Sequence, residues 1–271
     1  MTPGRKTAWI TGASSGIGEA LTREYAGRGW SLCLLARREE VLAGLCRTLQ
    51  SEYPRQFFHW EAVDISEEQD LLQALDRLVR KGGLPDLLIA NAGVGRSVDP
   101  LLPGWENTRR TLLTNVLGTL AGMEFCKELW VRSRTPGQIA VISSVAGVRG
   151  LPGTAAYSAS KAALATYAES CRPRWEEAGI RISCIFPGYV RTPMTARNPW
   201  MPWLLDPEQA AARIAGAIER GKKRYVFPFP MRIVFGLLRH MPDPVFDWLS
   251  RKAGTAAMRR KAAADNITGA P

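Results

Sequence analysis

The sequence predicts an α/β fold in which a parallel sheet of about seven strands is covered on both faces by helices. Short apolar runs alternate with amphipathic helical patterns along the chain, as expected when a helix follows each strand. With 271 residues, the chain is long enough for one sizeable hydrophobic core. We therefore expect one domain over residues 1–227, with a C-terminal helical extension of the same domain over residues 228–271.

The apolar runs are the predicted strands, and the helices between them carry start and stop signals. The runs cover residues 7–10, 31–35, 57–62, 87–90, 138–142, 181–185 and, as a seventh, about 225–227. Ser66 is a candidate N-cap with Gln69 placed to bond back to it, and Gly82 is expected to end that helix. Residues 206–209 (Asp-Pro-Glu-Gln) repeat the pattern with proline at the first helical position, and Gly221 follows as a stop.

The extension carries an apolar stripe at helical spacing, formed by Met231, Val234, Phe235, Leu238 and Met241. A second helix is expected after Asp243-Pro244, with Val245, Phe246 and Leu249 turned inward. Amphipathic stripes usually face a core, so packing against the domain or a sister subunit is the first interpretation. A hydrophobic lid or a contact with a membrane surface is the alternative.

Composition and charge narrow the function classes. The formal charge is +11, but the basic residues are spread along the chain and form no nucleic-acid-binding module. No signal peptide or membrane-spanning run is evident, and five cysteines without CxxC spacing indicate free thiols in a reducing compartment. The two histidines form no metal-ligand pattern with the cysteines. We expect a cytoplasmic protein, with peripheral membrane contact as an option, that holds no metal and binds no nucleic acid.

A glycine-rich turn follows the first predicted strand and opens a helix. Gly12, Gly16 and Gly18 lie in the segment after Thr11 that opens this helix, with serines between the first two. A helix N-terminus behind such a turn binds phosphate, because its free N–H groups and its dipole favour an anion. The sequence therefore predicts a dinucleotide site, in which the pyrophosphate lies against Gly12, Ser14, Ser15, Gly16, Ile17 and Gly18.

Tyr157 and Lys161 are four residues apart in a helical pattern, and Ser144 lies thirteen residues upstream of the tyrosine. Positions i and i+4 share a helix face, so we expect the phenol and the ammonium in one pocket. A positive charge beside a tyrosine favours the phenolate and lowers the tyrosine pKa. With the Ser144 hydroxyl to orient a substrate oxygen, the three groups form a candidate proton-transfer unit.

In this order, the motifs resemble those of the classical short-chain dehydrogenase/reductase family. The resemblance spans roughly residues 5–195 and rests on the spacing Gly-x-x-x-Gly-x-Gly, Asn91-Ala92-Gly93, Asn115, Ser144, Tyr157-x-x-x-Lys161 and Pro187-Gly188. It implies a single-domain Rossmann-type doubly wound parallel sheet, and an oxidoreductase that interconverts a carbonyl and an alcohol by hydride transfer. It also implies a homo-dimer or tetramer. Pro173 departs from the pattern, because it lies in the helix through which family members commonly pair.

The resemblance also implies roles for individual residues. Tyr157 would exchange a proton with the substrate, Ser144 would hold the substrate oxygen, and Lys161 would lower the Tyr157 pKa and bind the nicotinamide ribose. Asn115 would help to organise a water-linked proton relay, and Asp64 would lie beside the adenine. The other implied contacts are Asn91, Ala92 and Gly93 on the adenosine side, and Pro187, Gly188, Val190 and Thr192 beside the nicotinamide.

The end of the second strand favours NADP(H) over NAD(H) as the cofactor. NAD sites of this type carry an acidic residue about 20 positions after the glycine loop, which bonds the ribose 2′-hydroxyl. Ala36 stands at that position and is followed by Arg37 and Arg38. A guanidinium matches a 2′-phosphate, which a carboxylate would repel, and the Ser14 hydroxyl is a further candidate contact for that phosphate.

The loop after Thr192 indicates the substrate class. It contains large apolar residues and few charges: Pro193, Met194, Asn198, Pro199, Trp200, Met201, Pro202, Trp203, Leu204 and Leu205. Such a loop favours a lipophilic small-molecule carbonyl or alcohol, without separating a steroid from a fatty-acyl ketone or a xenobiotic. The alternative function is a catalytically silent dinucleotide-sensing or membrane-surface scaffold protein of the same fold. The complete set of four implied catalytic residues argues against that alternative.

Overall fold

The computed structural model describes residues 6–95, 104–196, 198 and 200–252, and within them seven strands form one parallel sheet. The strands are β1 (Thr7–Thr11), β2 (Ser31–Ala36), β3 (Phe58–Ala62), β4 (Leu87–Ala90), β5 (Gly137–Ile142), β6 (Ile180–Pro187) and β7 (Arg224–Phe227). Their order across the sheet is β3-β2-β1-β4-β5-β6-β7, and every neighbouring pair is parallel. The predicted fold class is confirmed.

Helices cover both faces of this sheet. They are α1 (Gly16–Gly27), α2 (Glu39–Glu52), α3 (Glu68–Gly82), α4 (Trp105–Leu112), α5 (Thr119–Ser133), α6 (Ala155–Glu177), α7 (Pro207–Glu219) and α8 (Phe229–His240). Successive side chains of a strand point to opposite faces, and β1 shows this directly. Ala8 and Ile10 belong to one buried cluster, with side chains of α1, α2 and α7, whereas Trp9 belongs to the other, with side chains of α3, α5 and α6.

Burial on both faces explains why the strands were visible in the sequence. A parallel strand covered on two sides is a continuous apolar run rather than an alternating one. All five residues of β1 and all six of β2 are buried. The predicted runs coincide with the observed strands to within two residues at each end.

The strand order places a crevice beside β1. β1 lies between β2 and β4, so the chain builds one half of the sheet outward from β1 and then returns to build the other half. At such a switch point the loops that follow the two central strands diverge, and open α/β sheets bind their ligands there. The carboxyl ends of β1, β4, β5 and β6 therefore face the candidate site.

One helix start was predicted wrongly and another correctly. α3 begins at Glu68 with Glu67 before it, so Ser66 is not its N-cap. The reason is a competing local bond, because the Ser66 N–H and hydroxyl both donate to Asp64 Oδ1, at 3.1 and 2.8 Å. Gly82 is the last residue of α3 rather than its stop, and Gly83 with φ of 74° follows it. α7 starts as predicted, with the Asp206 N–H donating to Gln209 Oε1 at 3.3 Å.

The apolar stripe of the extension faces the domain through α8. Met231 and Phe235 are buried, and Val234 and Leu238 are half-buried. The Phe235 ring lies edge-on to that of Phe186 in β6, with the ring centroids 5.1 Å apart. The described part of α8 therefore packs onto the sheet, as the first interpretation of the stripe expects.

The second helix of the extension covers residues 243–252 in the described structure. Its predicted orientation was only partly right, because Val245 and Leu249 are 45% and 41% exposed. Phe246 is half-buried under the Arg149 guanidinium, 4.2 Å from its ring centroid, so the helix is held mainly at its first turn. Residues 253–271 of the extension and Pro199 of the substrate loop lie outside the described residues.

The proline within a predicted helix and the expected lack of a membrane-spanning segment can also be compared with the structure. Pro173 lies within α6, which continues beyond it to Glu177. In the described part of the chain, no helix has both the length and the apolarity needed to cross a membrane.

Candidate active site

A cleft of about 450 Å³ opens at the carboxyl ends of β1, β4, β5 and β6. Every residue predicted to contact the cofactor lines it, and so does Ser144. Asn115 is the one predicted site residue that lies behind the wall instead. The cleft is also lined by residues that the sequence did not single out as contacts, among them Val94, Ser143 and Thr195.

The glycine loop is packed too tightly for side chains. Gly12 has φ of +69°, and a Cβ there would lie 2.8 Å from the Ala92 Cα. A Cβ on Gly18 would lie 2.1 Å from the Gly12 carbonyl oxygen, so only glycine lets α1 approach the end of β1 this closely. Asn91 fastens the loop, because its Nδ2 donates to the Thr11 carbonyl at 3.0 Å. The N-terminus of α1 is thereby held at the cleft, where it favours an anion.

Two arginines stand at the far end of the cleft, after β2. The Arg38 guanidinium donates to the Ser14 carbonyl at 2.7 Å and to the Ser14 hydroxyl at 3.1 Å. Arg37 pairs with Asp64 at 3.4 Å and keeps about half of its side chain exposed. Burial acts to raise the pKa of Asp64, but hydrogen bonds from Ser66 and the charge of Arg37 outweigh it and hold that pKa below its usual value.

α6 and the end of β5 bring Tyr157, Lys161 and Ser144 together. Lys161 Nζ lies 5.7 Å from the centroid of the Tyr157 ring and donates to the Ile142 carbonyl at 2.8 Å. The Ser143 hydroxyl donates to the Lys161 carbonyl at 2.8 Å, which ties the helix to the strand end. Burial lowers the pKa of Lys161 to about 8. The ammonium is thus fixed, but its charged form is costly at this position.

The protonation of Tyr157 differs from the sequence expectation. Burial raises the pKa of Tyr157, and a hydrogen bond with the Ser144 hydroxyl opposes that rise without cancelling it. The net shift of the Tyr157 pKa is upward, whereas the sequence predicted a lowering by Lys161. The physical reason is that both groups lie in the same buried site, which penalises the phenolate and the ammonium alike. The Tyr157 hydroxyl is therefore protonated at neutral pH.

Small residues after β4 make room for this pair. A Cβ on Gly95 would lie 2.8 Å from Tyr157 Cδ2, so the tyrosine ring lies against the bare backbone. A Cβ on Gly93 would lie 3.3 Å from Lys161 Nζ. Gly95 was not identified from the sequence, although two glycines in Gly93-Val94-Gly95 directly after a strand are an unusual cluster.

Asn115 connects two segments of the site through hydrogen bonds of its side chain. It lies in a π-helical turn, Leu113–Gly118, and is fully buried. Its Nδ2 donates to the Val94 carbonyl at 2.8 Å and to Ser160 Oγ at 3.0 Å, while its Oδ1 accepts from the Val94 N–H at 2.7 Å. Both amide donors are in use, so the side chain links the segment after β4 to α6. Its expected part in a proton relay stays a prediction.

The segment after β6 closes the opposite side of the cleft. A Cβ on Gly16 would lie 2.9 Å from Thr192 Cγ2, so the threonine touches the glycine loop across the cleft. Val190 is buried. Thr195 orders this segment, because its hydroxyl donates to the Val190 carbonyl at 2.6 Å and accepts from the Thr192 N–H at 3.0 Å. The sequence contained a signal for Thr195 in the spacing Thr192-x-x-Thr195, which favours such a turn.

The extension contacts the rest of the domain at two places near the site. A Cβ on Gly188 would lie 2.9 Å from the Met231 side chain, so α8 lies directly behind the cleft wall. Arg149, between Ser144 and Tyr157 in the chain, donates to the carbonyls of Leu238, at 3.3 Å, and Met241, and pairs with Asp243. The sequence did not reveal Arg149, because its partners lie about ninety residues further along the chain.

Other nucleophiles and ligands are weak candidates among the described residues. The five cysteines are all free. Burial raises the pKa of Cys33, Cys46 and Cys184 to about 12, and it also raises the pKa of Cys126 and Cys171, so none is an activated thiolate. No cluster of metal-ligating side chains occurs in the described part of the chain.

Comparison with known proteins agrees with this geometry. The family model for short chain dehydrogenases matches residues 6–201. An uncharacterized oxidoreductase of Myxococcus xanthus is 35% identical over 250 residues, which cover 91% of this chain and 97% of that protein.

Two solved structures share the fold at lower identity. One is a short-chain dehydrogenase from Sphingobium yanoikuyae in complex with NADPH, with a TM-score of 0.76, 24% identity and 96% coverage of each chain. The other is a short-chain dehydrogenase/reductase from Burkholderia phymatum in complex with NAD, with a TM-score of 0.78 and 23% identity over 86% of this chain and 92% of that one. The match of the family model and the relative at 35% identity decide the assignment: the chain belongs to the short-chain dehydrogenase family of oxidoreductases.

Proposed function

We propose that this protein is an NADP(H)-dependent oxidoreductase that interconverts a carbonyl and an alcohol on a lipophilic substrate. The observation that carries the proposal is the pairing of two features in one cleft. At one end, the Tyr157 hydroxyl is hydrogen-bonded to the Ser144 hydroxyl, and the buried Lys161 ammonium lies 5.7 Å from the centroid of the Tyr157 ring. At the other end, the Arg38 guanidinium is hydrogen-bonded to Ser14, directly after β2, and β2 ends in Ala36 rather than in an acidic residue.

The residues of the cleft fit a nicotinamide dinucleotide. The glycine loop and the N-terminus of α1 would hold the pyrophosphate, because a Cβ at Gly12 or Gly18 would collide with neighbouring backbone. Arg37, Arg38 and Ser14 would hold a 2′-phosphate, and Ala36 offers no carboxylate to repel it. Among the structural neighbours, the Sphingobium yanoikuyae protein binds NADPH and the Burkholderia phymatum protein binds NAD, so the preference for NADP(H) rests on these residues.

The protonation state of Tyr157 suits the role of general acid at neutral pH. When bound, the nicotinamide supplies or accepts the hydride. Because the pKa of Tyr157 is raised, its hydroxyl is protonated and can donate to the oxygen of a carbonyl that becomes an alcohol. Ser144 would hold that oxygen, and Lys161 would bind the nicotinamide ribose. For alcohol oxidation, Tyr157 would act in its deprotonated form and accept the proton of the alcohol.

The substrate side of the cleft supports a lipophilic ligand. Pro193 and Met194 line the cleft itself, and Trp200 and Trp203 are exposed in the same loop. Apolar side chains at a cleft mouth favour apolar substrates, whose burial supplies binding free energy. The free thiols fit a reducing compartment such as the cytoplasm. Assembly as a homo-dimer or tetramer stays a prediction from the family.

The test is Tyr157→Phe, with Tyr53→Phe on the far side of the molecule as the matched control. Wild-type protein is assayed by NADPH absorbance against a panel of small and bulky ketones and aldehydes. Loss of the proton donor should reduce kcat by roughly 10²–10⁴, while NADPH affinity measured by titration stays within about twofold. The control should behave as wild type.

Two outcomes would contradict this assignment. A Tyr157→Phe variant that keeps most of its kcat would remove the acid/base role. Wild-type protein that binds NADPH but turns over no carbonyl in the panel would favour the silent dinucleotide-sensing alternative.

A further inference from the structure

α8 has a second apolar face that points away from the domain. Phe229, Ile233 and Leu237 follow one another at intervals of four residues and are 69%, 53% and 62% exposed. Met231 and Phe235 on the opposite side are buried against the sheet. We call the exposed row of three residues the α8 ridge. Three large apolar side chains in line on one helix are more than the scattered exposure of an ordinary surface.

Basic residues flank this ridge. Arg232 and Arg239 are both exposed on α8, seven residues or about two helical turns apart, and α8 contains no acidic residue. Over residues 229–271 the sequence has seven Lys and Arg against three Asp. One of these aspartates, Asp243, is paired with Arg149. The extension therefore combines exposed apolar side chains with a positive charge.

The second helix of the extension repeats this combination. Val245, Trp248 and Leu249 are exposed, and Lys252 Nζ lies 4.0 Å from the Trp248 ring centroid. Tryptophan beside a cation is common at the boundary between lipid headgroups and acyl chains, where the ring and the charge contact different layers. Arg149 holds the start of this helix on the domain.

Charge argues against a second copy of the chain as the occupant of the ridge. In a two-fold dimer through this face, the ridge would meet the same ridge with its own arginines, and α8 supplies no carboxylate to pair with them. An anionic lipid surface supplies both the apolar layer and the negative charge. A helix that is apolar on one side and basic along its flank lies in the plane of such a surface.

We propose that the α8 ridge inserts into the surface of an anionic lipid bilayer, with Arg232 and Arg239 on the lipid phosphates. The opposite face of α8 contacts Gly188 through Met231, and Gly188 lines the cleft. The bilayer would then lie about one helix diameter, ~10 Å, from the cleft wall. This contact does not depend on the proposed function, but with that function it gives a lipophilic substrate a short path from the membrane to the cleft.

The experiment measures sedimentation of the full-length protein with lipid vesicles. The vesicles are phosphatidylcholine alone, or phosphatidylcholine with about 30% phosphatidylserine as the anionic lipid. Wild-type protein should sediment with the anionic vesicles and be partly released by salt. Ile233→Glu combined with Leu237→Glu should lower the partition coefficient roughly tenfold or more, because two apolar side chains leave the lipid.

A second variant and a control separate the contributions. Arg232→Gln combined with Arg239→Gln should weaken binding to anionic vesicles while leaving the smaller binding to phosphatidylcholine unchanged. The control is Val41→Glu combined with Val131→Glu, which alters exposed valines on α2 and α5, and it should bind as wild type does. Far-UV circular dichroism and NADPH titration establish that each variant is folded.

Three results would overturn the proposal. These are an absence of wild-type binding to either vesicle, equal binding by wild type and the ridge variant, and a wild-type dimer that the ridge variant dissociates in sedimentation velocity without lipid. The last result would assign the ridge to an interface between copies of this chain. Because none of these readouts uses turnover, they stand whether or not a carbonyl substrate is found.

Discussion

Arg38 is positioned by the protein itself. Its guanidinium already bonds the Ser14 carbonyl and hydroxyl, which fixes its plane beside the end of β2. Arg37 is about half exposed and pairs with Asp64 at 3.4 Å. A preorganised guanidinium loses less freedom when it binds phosphate than a mobile one does. We therefore expect Arg38 to contribute as much to cofactor choice as Arg37.

Arg38→Ala should weaken NADPH binding roughly tenfold to a hundredfold, since a charge-assisted hydrogen bond contributes about 1.5–3 kcal/mol. NADH binding should change much less, because NADH has no 2′-phosphate. Isothermal titration with both cofactors measures the two losses, and Arg47→Ala, an exposed arginine of α2, is the matched control. Equal losses for NADPH and NADH would show that the 2′-phosphate is bound elsewhere.

Lys161 should leave a signature in the pH dependence of stability. Burial lowers its pKa to about 8, from an ordinary value of 10.5. Between these values the unfolded chain binds a proton that the folded protein does not, so this residue makes the free energy of unfolding rise with pH. Lys161→Met removes that rise. The free energy of unfolding of the variant minus that of wild type should therefore fall by about 2 kcal/mol between pH 7 and pH 9.5.

Urea unfolding of both proteins at several pH values in this window measures the difference. A difference that stays constant from pH 7 to pH 9.5 would mean that folded Lys161 keeps its proton throughout. The buried position would then have much less effect on the ammonium than the structure indicates.

At the scale of elements, α8 is part of the core rather than an attachment to it. Phe235 is buried against Phe186, and Met231 lies against Gly188. Removing the whole extension would uncover these sheet residues, so a truncated chain would report on folding and not on substrate access. A single substitution in α8 measures the contribution of the helix to folding without uncovering the whole sheet surface beneath it.

Phe235→Ala should lower the free energy of unfolding by roughly 3–5 kcal/mol, because it leaves a cavity between α8 and β6. Ile233→Ala, two residues away on the exposed side of the same helix, is the matched control and should change it by less than about 0.5 kcal/mol. Urea unfolding followed by circular dichroism and by tryptophan fluorescence gives both values. Two separate transitions, with only one of them shifted, would show that α8 unfolds independently of the sheet.

At the scale of the whole molecule, the fold could be predicted well from the local pattern of apolar residues along the sequence. β1, β2, β4 and β5 are buried along their whole length, so they appear in the sequence as largely apolar runs. The first residues of helices were predicted less reliably, because a candidate capping side chain can form a hydrogen bond with another nearby group instead. Ser66 bonds Asp64 and leaves the start of α3 to Glu67 and Glu68, whereas at α7 the predicted bond from the Asp206 N–H to Gln209 forms.

The candidate site was predictable where its residues follow a strand end, and not where contacts join distant segments. The glycine loop and the Tyr157–Lys161 pair have fixed local spacings. Gly95, which makes room for the Tyr157 ring, is sixty-two residues from it in the sequence and belongs to no recognised pattern. The direction of the Tyr157 pKa shift also escaped prediction, because it depends on burial, which spacing does not reveal.

The hydrogen bonds by which Arg149 holds the extension leave the outer face of α8 free to change in sequence. Two of its bonds end on the main-chain oxygens of Leu238 and Met241, which any residue at those positions would supply. The outward side chains of α8 take no part in this attachment. Substitutions there can accumulate without detaching the helix or disturbing Tyr157, so the membrane contact proposed for this face can change in evolution while the chemistry of the site stays the same.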